Sequence, residues 1–482
     1  MKRQSGVLMH ISSLFGDYSI GGFSMHARYF IDFLADCGFT WWQVLPFSLV
    51  DECNSPYKSY SAFAGNPYFI DLETLHSKGL LTQDELDACR QQTPYSCEYV
   101  RLYHTRYQTL RQAADRIRKQ HNGSLCDEIE AFIAKNRYLE QFCRFMALKE
   151  ANNQRAWIDW DCDTIDEGTL FMWKFIQYEF FAQWHDIKAY AGSRGIQIMG
   201  DLPFYVAYDS ADVWGNKDLF QLDASGHPTQ VAGVPPDYFS ADGQLWGNPL
   251  YDWVAMEADG FSWWRDRLAH MLTLFDGVRI DHFRAIESYW SIPADAKTAR
   301  EGSWVKGPSM KLIDVIQKAA GDKLIVAEDL GDITDEVRQL VTKSGFPGMR
   351  VFQFGFLGDY DTPHAPHNYE NNCVAYTGTH DNNTLLGYVW ELSEQNRREM
   401  LDYCGYESPD WNHGYDSILQ TMFRSNAGLV ILPIQDLLGY GSDTRLNIPG
   451  KADGNWQFRL TKEQLDAISK TKFRHWNHIY RR

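Results

Sequence analysis

The sequence predicts an α/β fold, a closed barrel of eight parallel strands with inserted segments. Three observations predict it: eight short apolar runs that stop near Gly, Asp or Pro, helical patterns between consecutive runs from the third onward, and acidic residues at the ends of several runs. Parallel strands buried on both faces have this apolar character. Eight of them alternating with helices favour a (β/α)8 TIM barrel.

The predicted strands are short segments rich in aliphatic or aromatic residues. In chain order they are GVLMHI from Gly6, WWQVLPF from Trp41, GIQIMGDLPF from Gly195, FDGVRID from Phe275, KLIVAED from Lys323, GMRVFQFGF from Gly348, NCVAYTGTHD from Asn372 and GLVILPIQD from Gly428. An open doubly wound sheet is the alternative arrangement, but no G-x-G-x-x-G motif follows the first strand.

Two long intervals interrupt the alternation of strands and helices. The interval before the third strand contains DEIEAFIAKNRYLEQFCRFMALKEANN, and residues 73–165 are predicted to form an inserted helical subdomain. The pattern LFMWKFIQYEFFAQWHDIKAYAG then leads into the third strand as a barrel helix. Residues 202–275 form a second, loop-rich insertion, and long loops of this kind are typically functional. We therefore expect one catalytic barrel over residues 1–482 that carries both insertions.

Composition limits the class of partner. The net charge is -17 at pH 7, whereas nucleic-acid binding needs a basic face, and anionic membrane surfaces are disfavoured for the same reason. No apolar run reaches transmembrane length. The 17 Trp and 26 Tyr fit either a large aromatic core or a cleft that stacks flat faces such as sugar rings.

Cysteine usage indicates the compartment. The 9 Cys are scattered, with neither a C-x-x-C pair nor a zinc-like spacing. An odd number of free thiols is typical of a reducing cytosol. The N-terminal MKRQSGVLMHISS has an apolar run too short for a signal peptide. We therefore predict a cytoplasmic protein.

Acidic residues stand at the ends of four predicted strands: Asp201, Asp281, Glu328 and Asp381. The carboxyl ends of barrel strands form the catalytic face. One such residue is weak evidence, because many acidic residues only cap the next helix. Four of them, with Arg279 and His380 adjacent, indicate an active site. Arg279 and Asp281 are two residues apart and lie on one side of their strand, where the cation favours an ionised aspartate.

Clustered carboxylates suit two kinds of chemistry. A pair can cleave a glycosidic bond, one as acid and base, the other as a nucleophile or an activator of water. Metal binding is the competing use, but the interleaved arginine and histidine would repel a cation, and H-E-x-x-H and EF-hand patterns are missing from the sequence. P-loop and G-x-S-x-G motifs are missing too, which disfavours phosphate cradling and serine acyl transfer. We expect neither a metal nor a cofactor.

The order D-L-P, G-V-R-I-D-H, A-E-D-L-G and T-G-T-H-D resembles the α-amylase clan. Four flanking motifs resemble its amylomaltase branch, the 4-α-glucanotransferases of glycoside hydrolase family 77. They are SPYKSYSAFAGNPYFIDL at 55–72, GDLPFYVAYDSADVW at 200–214, VPPDYFSADGQLWGNPLYDW at 234–253 and RLNIPGKADGNWQFR at 445–459. The resemblance covers nearly the whole chain.

The resemblance implies a role for each matching residue. Asp281 would be the nucleophile, Glu328 the general acid and base, and Asp381 the residue that holds the sugar hydroxyls and stabilises the transition state. Substrate contacts would come from Ser55, Tyr57, Asp201, Tyr238, Phe239, Trp246, Arg279, His380 and Asn447. The tyrosine of S-P-Y would stack on a sugar ring, and the three aromatic residues between 238 and 246 would lie in a loop that covers the cleft.

We therefore expect a retaining 4-α-glucanotransferase acting on α-1,4-glucans such as maltooligosaccharides, amylose and glycogen-derived chains. Two alternatives stay open, a plain α-glucan hydrolase of the same clan and a non-catalytic glucan-binding barrel, although binding alone would not require Glu328. One departure from the branch is visible. After T-H-D the branch usually has N-D-T, whereas this chain has Asn382-Asn383-Thr384, which removes a charge near the site.

Overall fold

The computed structural model describes residues 1–119, 123–236, 240–358, 360–408 and 411–482. The strands in these ranges are β1 (Gln4–Leu8), β2 (Trp41–Gln43), β3 (Gln197–Leu202), β4 (Gln230–Val234), β5 (Gln244–Pro249), β6 (Gly277–Ile280), β7 (Ser288–Pro293), β8 (Ser303–Lys306), β9 (Leu324–Ala327), β10 (Gly348–Val351), β11 (Cys373–Tyr376) and β12 (Leu429–Pro433).

Eight strands form a closed parallel barrel in the order β1-β12-β11-β10-β9-β6-β3-β2. Seven of them lie within one of the predicted apolar runs each and β1 overlaps the first run, so the predicted fold is confirmed. Strand β1 needs a glycine where it meets its neighbours. A Cβ atom added to Gly6 would lie 2.5 Å from the Cβ of Trp41 and 2.7 Å from Cδ1 of Ile431, which no side chain could accommodate.

The α-helices surround the barrel and fill the long interval before β3. They are α1 (Met25–Cys37), α2 (Leu72–Ser77), α3 (Gln83–Ala88), α4 (Tyr99–Lys119), α5 (Gly123–Ala134), α6 (Arg137–Ala151), α7 (Glu167–Ser193), α8 (Ala211–Gly215), α9 (Trp253–Ala258), α10 (Ser262–Leu274), α11 (Met310–Ala320), α12 (Asp335–Ser344), α13 (Leu385–Glu391), α14 (Glu394–Tyr403), α15 (Trp411–Arg424), α16 (Ile434–Leu438), α17 (Lys462–Ala467) and α18 (Lys470–Ile479).

Helix α7 is the predicted barrel helix that leads into β3. It is 27 residues long and buries residues on all of its faces, because α4, α5 and α6 pack on it from outside while it packs on the barrel. The Nε1 of Trp184, on its barrel side, donates a hydrogen bond of 3.1 Å to the carbonyl oxygen of Leu274. None of the described helices has the length and apolar character that a membrane crossing requires.

The remaining four strands form an antiparallel sheet, in the order β5-β4-β7-β8, that we did not predict. Strands β4 and β5 come from the connection between β3 and β6, and β7 and β8 come from the connection between β6 and β9. One face of this sheet carries a cross-strand row formed by Leu245, Gly233, Trp290 and Trp304. Because its strands come from the connections on either side of β6, the sheet lies beside β6 at the rim of the barrel.

Candidate active site

Strands β6 and β9 bring two of the predicted acidic residues together. Ile280 pairs with Ala327 in the barrel, and Asp281 and Glu328 are the residues that directly follow β6 and β9. The main-chain N–H of Glu328 donates to the carbonyl oxygen of Ile280 at 3.1 Å, which continues the ladder by one step. Because neighbouring strands are about 4.8 Å apart, the two carboxyl groups start from adjacent backbone positions on the catalytic face.

Arg279 lies between two carboxylates at the floor of this face. Its Nη1 donates to both oxygens of Asp201 at 2.8 Å, and its Nη2 lies 2.8 Å from Oδ1 of Asp281. The Asp201 side chain is 0% exposed and that of Asp281 is 29% exposed. The Asp281 carboxylate is therefore open to the cleft, while Asp201 contacts the arginine from the buried side.

The protonation of this floor follows from its burial and its charges. Burial alone would lower the pKa of Arg279, but the carboxylates of Asp201 and Asp281 raise it well above its ordinary value. Burial raises the pKa of Asp201, and Arg279 opposes that rise. Burial also raises the pKa of Tyr57 well above its ordinary value, so its hydroxyl stays protonated and donates to Oδ2 of Asp201 at 2.9 Å.

Glu328 is held in a site that favours its protonated form. Burial raises its pKa to about 8, the charges of Asp281 and Asp329 add to the rise, and Arg279 opposes it. Its Oε2 accepts the main-chain N–H of His282 at 2.9 Å, and its Oε1 accepts that of Leu330 at 3.1 Å. A carboxyl group with a pKa near the working pH can give a proton and take one back.

His282, whose main-chain N–H contacts Glu328, has an uncommon backbone conformation. Its φ of 50° and ψ of 43° lie in the left-handed region, which is uncommon for residues other than glycine and is found mostly at turns and functional sites. Burial lowers the pKa of its imidazole to about 4, so the ring is neutral. The Trp246 ring meets it edge-on at 5.0 Å, and the Trp246 Nε1 donates to Gln244 at 3.0 Å.

Asp381 is the fourth predicted acidic residue, and its side chain is 44% exposed. Its Oδ1 accepts a hydrogen bond of 2.6 Å from Nδ2 of Asn447 and lies 3.4 Å from Nε2 of His380. Arg445 donates to the carbonyl oxygen of Asp381, and its Nε donates to the carbonyl oxygen of Asn447 at 2.8 Å. Residues 445–447 thus fix both the backbone and the carboxylate of Asp381.

Three aromatic rings line the side of the site that carries Asp381. The Tyr57 ring stacks on His380 with centroids 5.2 Å apart and planes 9° apart. Trp456 packs against both rings, with centroid distances of 5.8 Å. Ser55 shapes the turn that presents Tyr57, because its Oγ accepts the main-chain N–H of Tyr57 at 3.3 Å while its own N–H donates to Asp51 at 2.8 Å.

Asn383, the departure noted in the sequence, has a specific partner. Its Nδ2 donates to Oε1 of Glu391 at 2.7 Å, and its Oδ1 accepts the N–H of Thr384 at 2.8 Å. Its carbonyl oxygen accepts Nε2 of Gln353 at 2.8 Å. An aspartate at position 383 would therefore face Glu391 with a second negative charge, whereas the asparagine amide donates a hydrogen bond to it.

The loop that carries Asp381 is anchored at both ends by one buried carboxyl group. Oδ2 of Asp436 accepts the hydroxyl of Thr377 at 2.5 Å, and Oδ1 accepts the main-chain N–H of Leu385 at 2.8 Å. Asp436 is 0% exposed, and burial raises its pKa to about 6. Because Thr377 follows β11 and Leu385 starts α13, this residue sets the span of the loop between them.

The structure brings ten of the twelve predicted site residues into one constellation. Direct contacts link Ser55, Tyr57, Asp201, Arg279, Asp281, His380, Asp381 and Asn447, and His282 links Trp246 to Glu328. Tyr238 and Phe239 lie outside the described residues. Sequence reasoning gave no catalytic or substrate role to His282, Arg445, Trp456 and Asp436, although the first three lie inside quoted motifs and Asp436 ends the eighth apolar run.

Comparison with known proteins identifies the family. The family model described as 4-alpha-glucanotransferase, glycoside hydrolase family 77, matches residues 9–465. A 4-alpha-glucanotransferase of Streptococcus pneumoniae is 43% identical over 498 residues, covering 100% of this chain and 98% of that protein. Another, from Thermus thermophilus, is 40% identical over 501 residues, with 98% of each covered. The amylomaltase of Streptococcus agalactiae, solved in complex with acarbose, superposes with a TM-score of 0.95 at 36% identity, covering 100% of both chains. The chain therefore belongs to the 4-alpha-glucanotransferase family and is an enzyme that transfers segments of α-1,4-glucans.

Proposed function

We propose that the transfer proceeds with retention of configuration through a covalent glycosyl intermediate on Asp281. The observation that carries the proposal is the pair formed by Asp281 and Glu328 on adjacent strands. One carboxylate is salt-bridged to Arg279 at 2.8 Å, and the other has a pKa raised to about 8 by burial. Retaining glycosidases use a nucleophile and an acid about 5–5.5 Å apart, a separation that neighbouring strands readily provide.

In the first step, an Asp281 oxygen attacks the anomeric carbon of the donor glucan. The bond between this carbon and the bridging oxygen breaks, and Glu328 gives its proton to that oxygen, which leaves with the rest of the chain. In the second step, Glu328 takes the proton from the 4-hydroxyl of an acceptor glucan. The acceptor oxygen bonds to the anomeric carbon, and the bond to Asp281 breaks.

The surrounding residues position the donor sugar and the charges. Asp381, held by Asn447 at 2.6 Å, binds hydroxyl groups of the sugar at the cleaved bond. Tyr57 and His380 form one stacked surface for a donor ring, and Ser55 shapes the turn beneath it. Arg279, fixed by Asp201 at 2.8 Å, keeps the nucleophile oriented and contributes to sugar binding at the floor of the site.

A transferase must also keep water away from the glycosyl intermediate. A bound acceptor gains a large effective concentration, and an apolar cover limits hydrolysis. We assign this cover to the loop that carries Tyr238, Phe239 and Trp246. Its support is the edge-on contact of Trp246 with His282 at 5.0 Å, which places an indole beside the segment that holds Glu328.

Domain organisation and compartment complete the proposal. We assign residues 1–482 to a single catalytic barrel, residues 73–165 to an inserted helical subdomain, and residues 202–275 to an inserted subdomain that carries the covering loop. We also place the enzyme in the cytoplasm, where maltooligosaccharides, amylose and glycogen-derived chains would be its substrates. The free thiols of all nine cysteines support a reducing compartment.

Incubation with maltotriose tests the proposal. A transferase yields glucose together with a ladder of longer oligomers, a hydrolase yields only shorter sugars, and a binding protein leaves the trimer unchanged. Retention is tested with α-maltosyl fluoride: the Glu328→Ala variant should accumulate a glycosylated Asp281, detectable by mass spectrometry of a peptic digest. A label on any other residue, or inverted anomeric configuration of the first product, would contradict the assignment.

A further inference from the structure

Trp304 is an exposed indole at the edge of the antiparallel sheet. It lies in the middle of β8, the last strand of that sheet, and is 40% exposed. Its neighbour in the cross-strand row, Trp290, is covered by the segment 294–302 and donates its Nε1 to the carbonyl oxygen of Ala299 at 2.8 Å. Within this row, Trp290 is therefore covered by the chain, whereas Trp304 is accessible to solvent.

The Trp304 ring is held rigidly from below. The guanidinium carbon of Arg284 lies over the ring at 3.8 Å from its centroid, and Trp290 meets the ring at a centroid distance of 5.1 Å and an interplanar angle of 69°. Arg284 is only 4% exposed. A planar cation buried against one face and a ring against the edge fix the indole orientation without covering the whole side chain.

Trp304 lies next to the two segments that hold Glu328. The first segment includes His282, whose N–H donates to Glu328 at 2.9 Å, and Arg284 two residues later. The second runs from Glu328 to Asp332, whose carbonyl oxygen accepts a hydrogen bond from Arg284. Arg284 therefore joins both segments and supports the indole.

This inference rests on the proposed function, in which Glu328 protonates the oxygen of the leaving part of the donor glucan. The acceptor glucan later takes the position of that leaving part. The surface next to the segments that hold Glu328, on the outer side of the barrel rim, is therefore assigned to the acceptor. A polar group beside the indole also suits a sugar. The Asp332 side chain is 73% exposed, so it can bond to hydroxyl groups while the ring covers an apolar sugar face.

We propose that Trp304, backed by Arg284, is a platform on which a longer acceptor α-1,4-glucan stacks beyond the sugar next to the cleaved bond. The platform makes long acceptors better than glucose. Because a single glucosyl acceptor fills only the position beside Glu328, it does not reach the indole, and its use is independent of Trp304.

Donor and acceptor are separated by using α-maltosyl fluoride as the donor and either methyl α-glucoside or methyl α-maltohexaoside as the acceptor. Initial rates of product formation are measured by chromatography at varied acceptor concentration. Trp304→Ala should raise the KM for the maltohexaoside about tenfold, the effect of leaving an apolar contact of one sugar ring unburied. The KM for methyl α-glucoside and the release of fluoride without acceptor should stay within about twofold of wild type, on the same reasoning.

Two variants control for the aromatic ring and for the strand. Trp304→Phe keeps a ring and should stay within about threefold of wild type with the maltohexaoside, because a smaller ring still stacks. Val305 is the next residue of β8, is 38% exposed and points to the opposite face, so Val305→Ala should leave both acceptors unaffected. Trp304→Leu, which is apolar but not flat, replaces the alanine variant if circular dichroism shows that the latter does not fold.

Three results would overturn the platform. In the first, the maltohexaoside KM is unchanged in a folded Trp304→Ala protein. In the second, both acceptors lose equally, which would make the indole a support of the sheet. In the third, Val305→Ala has the same effect as Trp304→Ala. If the wild-type enzyme released no fluoride from α-maltosyl fluoride, the proposed catalytic function itself would fail. The failure of the platform and the failure of the proposed function are therefore distinguishable.

Discussion

Replacement of Asn383 by aspartate should destabilise the protein through one contact. The Asn383 amide donates to Glu391 at 2.7 Å, and Asn383 is 8% exposed. A hydrogen bond to a charged group is worth about 1.5–3 kcal/mol, and the low end applies because Glu391 is exposed. Asn383→Asp removes this bond and adds repulsion of about 1 kcal/mol between two carboxylates some 4 Å apart near water. We expect a loss of about 2–3 kcal/mol in the free energy of unfolding at pH 8.

The pH dependence of this loss has a definite sign. In the folded variant, the new carboxyl group faces Glu391, so its pKa is raised above its unfolded value of about 3.9. A group with a raised folded pKa contributes stability below its unfolded pKa, and that contribution is lost as the pH rises. The deficit of Asn383→Asp relative to wild type should therefore be largest at pH 8 and shrink toward pH 4.

A double-mutant cycle with Glu391→Gln isolates the contact. Melting temperatures of wild type, Asn383→Asp, Glu391→Gln and the double variant are compared at pH 8. A chain of 482 residues shifts by about 1 °C per kcal/mol, so Asn383→Asp should melt about 2–3 °C lower. The double variant should recover most of this loss, because a glutamine amide can donate to the new carboxylate.

A double variant that melts as low as Asn383→Asp alone would contradict a repulsive contact with Glu391. Such a result would mean that the aspartate disturbs another partner of the loop, such as Thr384 or Gln353, and that Glu391 contributes nothing. A deficit that grows as the pH falls would contradict the repulsion in particular.

Four further outcomes follow from the site. Asp281→Asn should lose several orders of magnitude in turnover while maltotriose binding by calorimetry and folding persist; near-normal turnover would remove Asp281 from the nucleophile role. The pH–rate profile should fall on its alkaline side as the pH passes about 8, because Glu328 loses its proton there, and Glu328→Ala should lose far more rate on maltotriose than on a fluoride donor; equal losses would exclude the acid role. Trp246→Ala should raise the ratio of new reducing ends to transferred glucosyl units on maltotriose, whereas an unchanged ratio would mean that the indole only packs the loop. Asp201→Asn should lower the free energy of unfolding by about 3 kcal/mol, the low end for breaking a buried ion pair, because Arg279 keeps Asp281 as a partner at 2.8 Å; a thermal scan that matches wild type would contradict this.

The barrel and its acidic residues were predictable from sequence because each depends on a local pattern. A strand such as β12, with all five residues buried, must be a short apolar run, and a catalytic residue must follow the end of such a run. Asp281 and Glu328 meet because the register of β6 and β9 aligns the residues after Ile280 and Ala327. Parallel pairing therefore brings together two residues that are far apart in the sequence but follow equivalent strand ends.

The antiparallel sheet and the supports of Asp381 were not predictable in this way. All four residues of β8 are exposed, so no apolar run marks it, and β7 follows β6 too closely to be counted in the strand–helix alternation. The bond from Arg445 to Asp381 joins residues 64 positions apart through a loop whose path no periodicity describes.

The order of strands around the barrel has a consequence for biosynthesis. Strand β12 pairs with both β1 and β11, and Val430 lies opposite Ser5 on one side and Ala375 on the other. Until the ribosome has released this strand, the other seven can only form an open sheet with two unpaired edges. At about 5–20 residues per second, synthesis of the chain up to β12 takes on the order of a minute, and the barrel cannot close during that time. Unpaired edges attract other strands, so we expect a chain that ends before residue 429 to aggregate through its open sheet instead of forming a smaller enzyme.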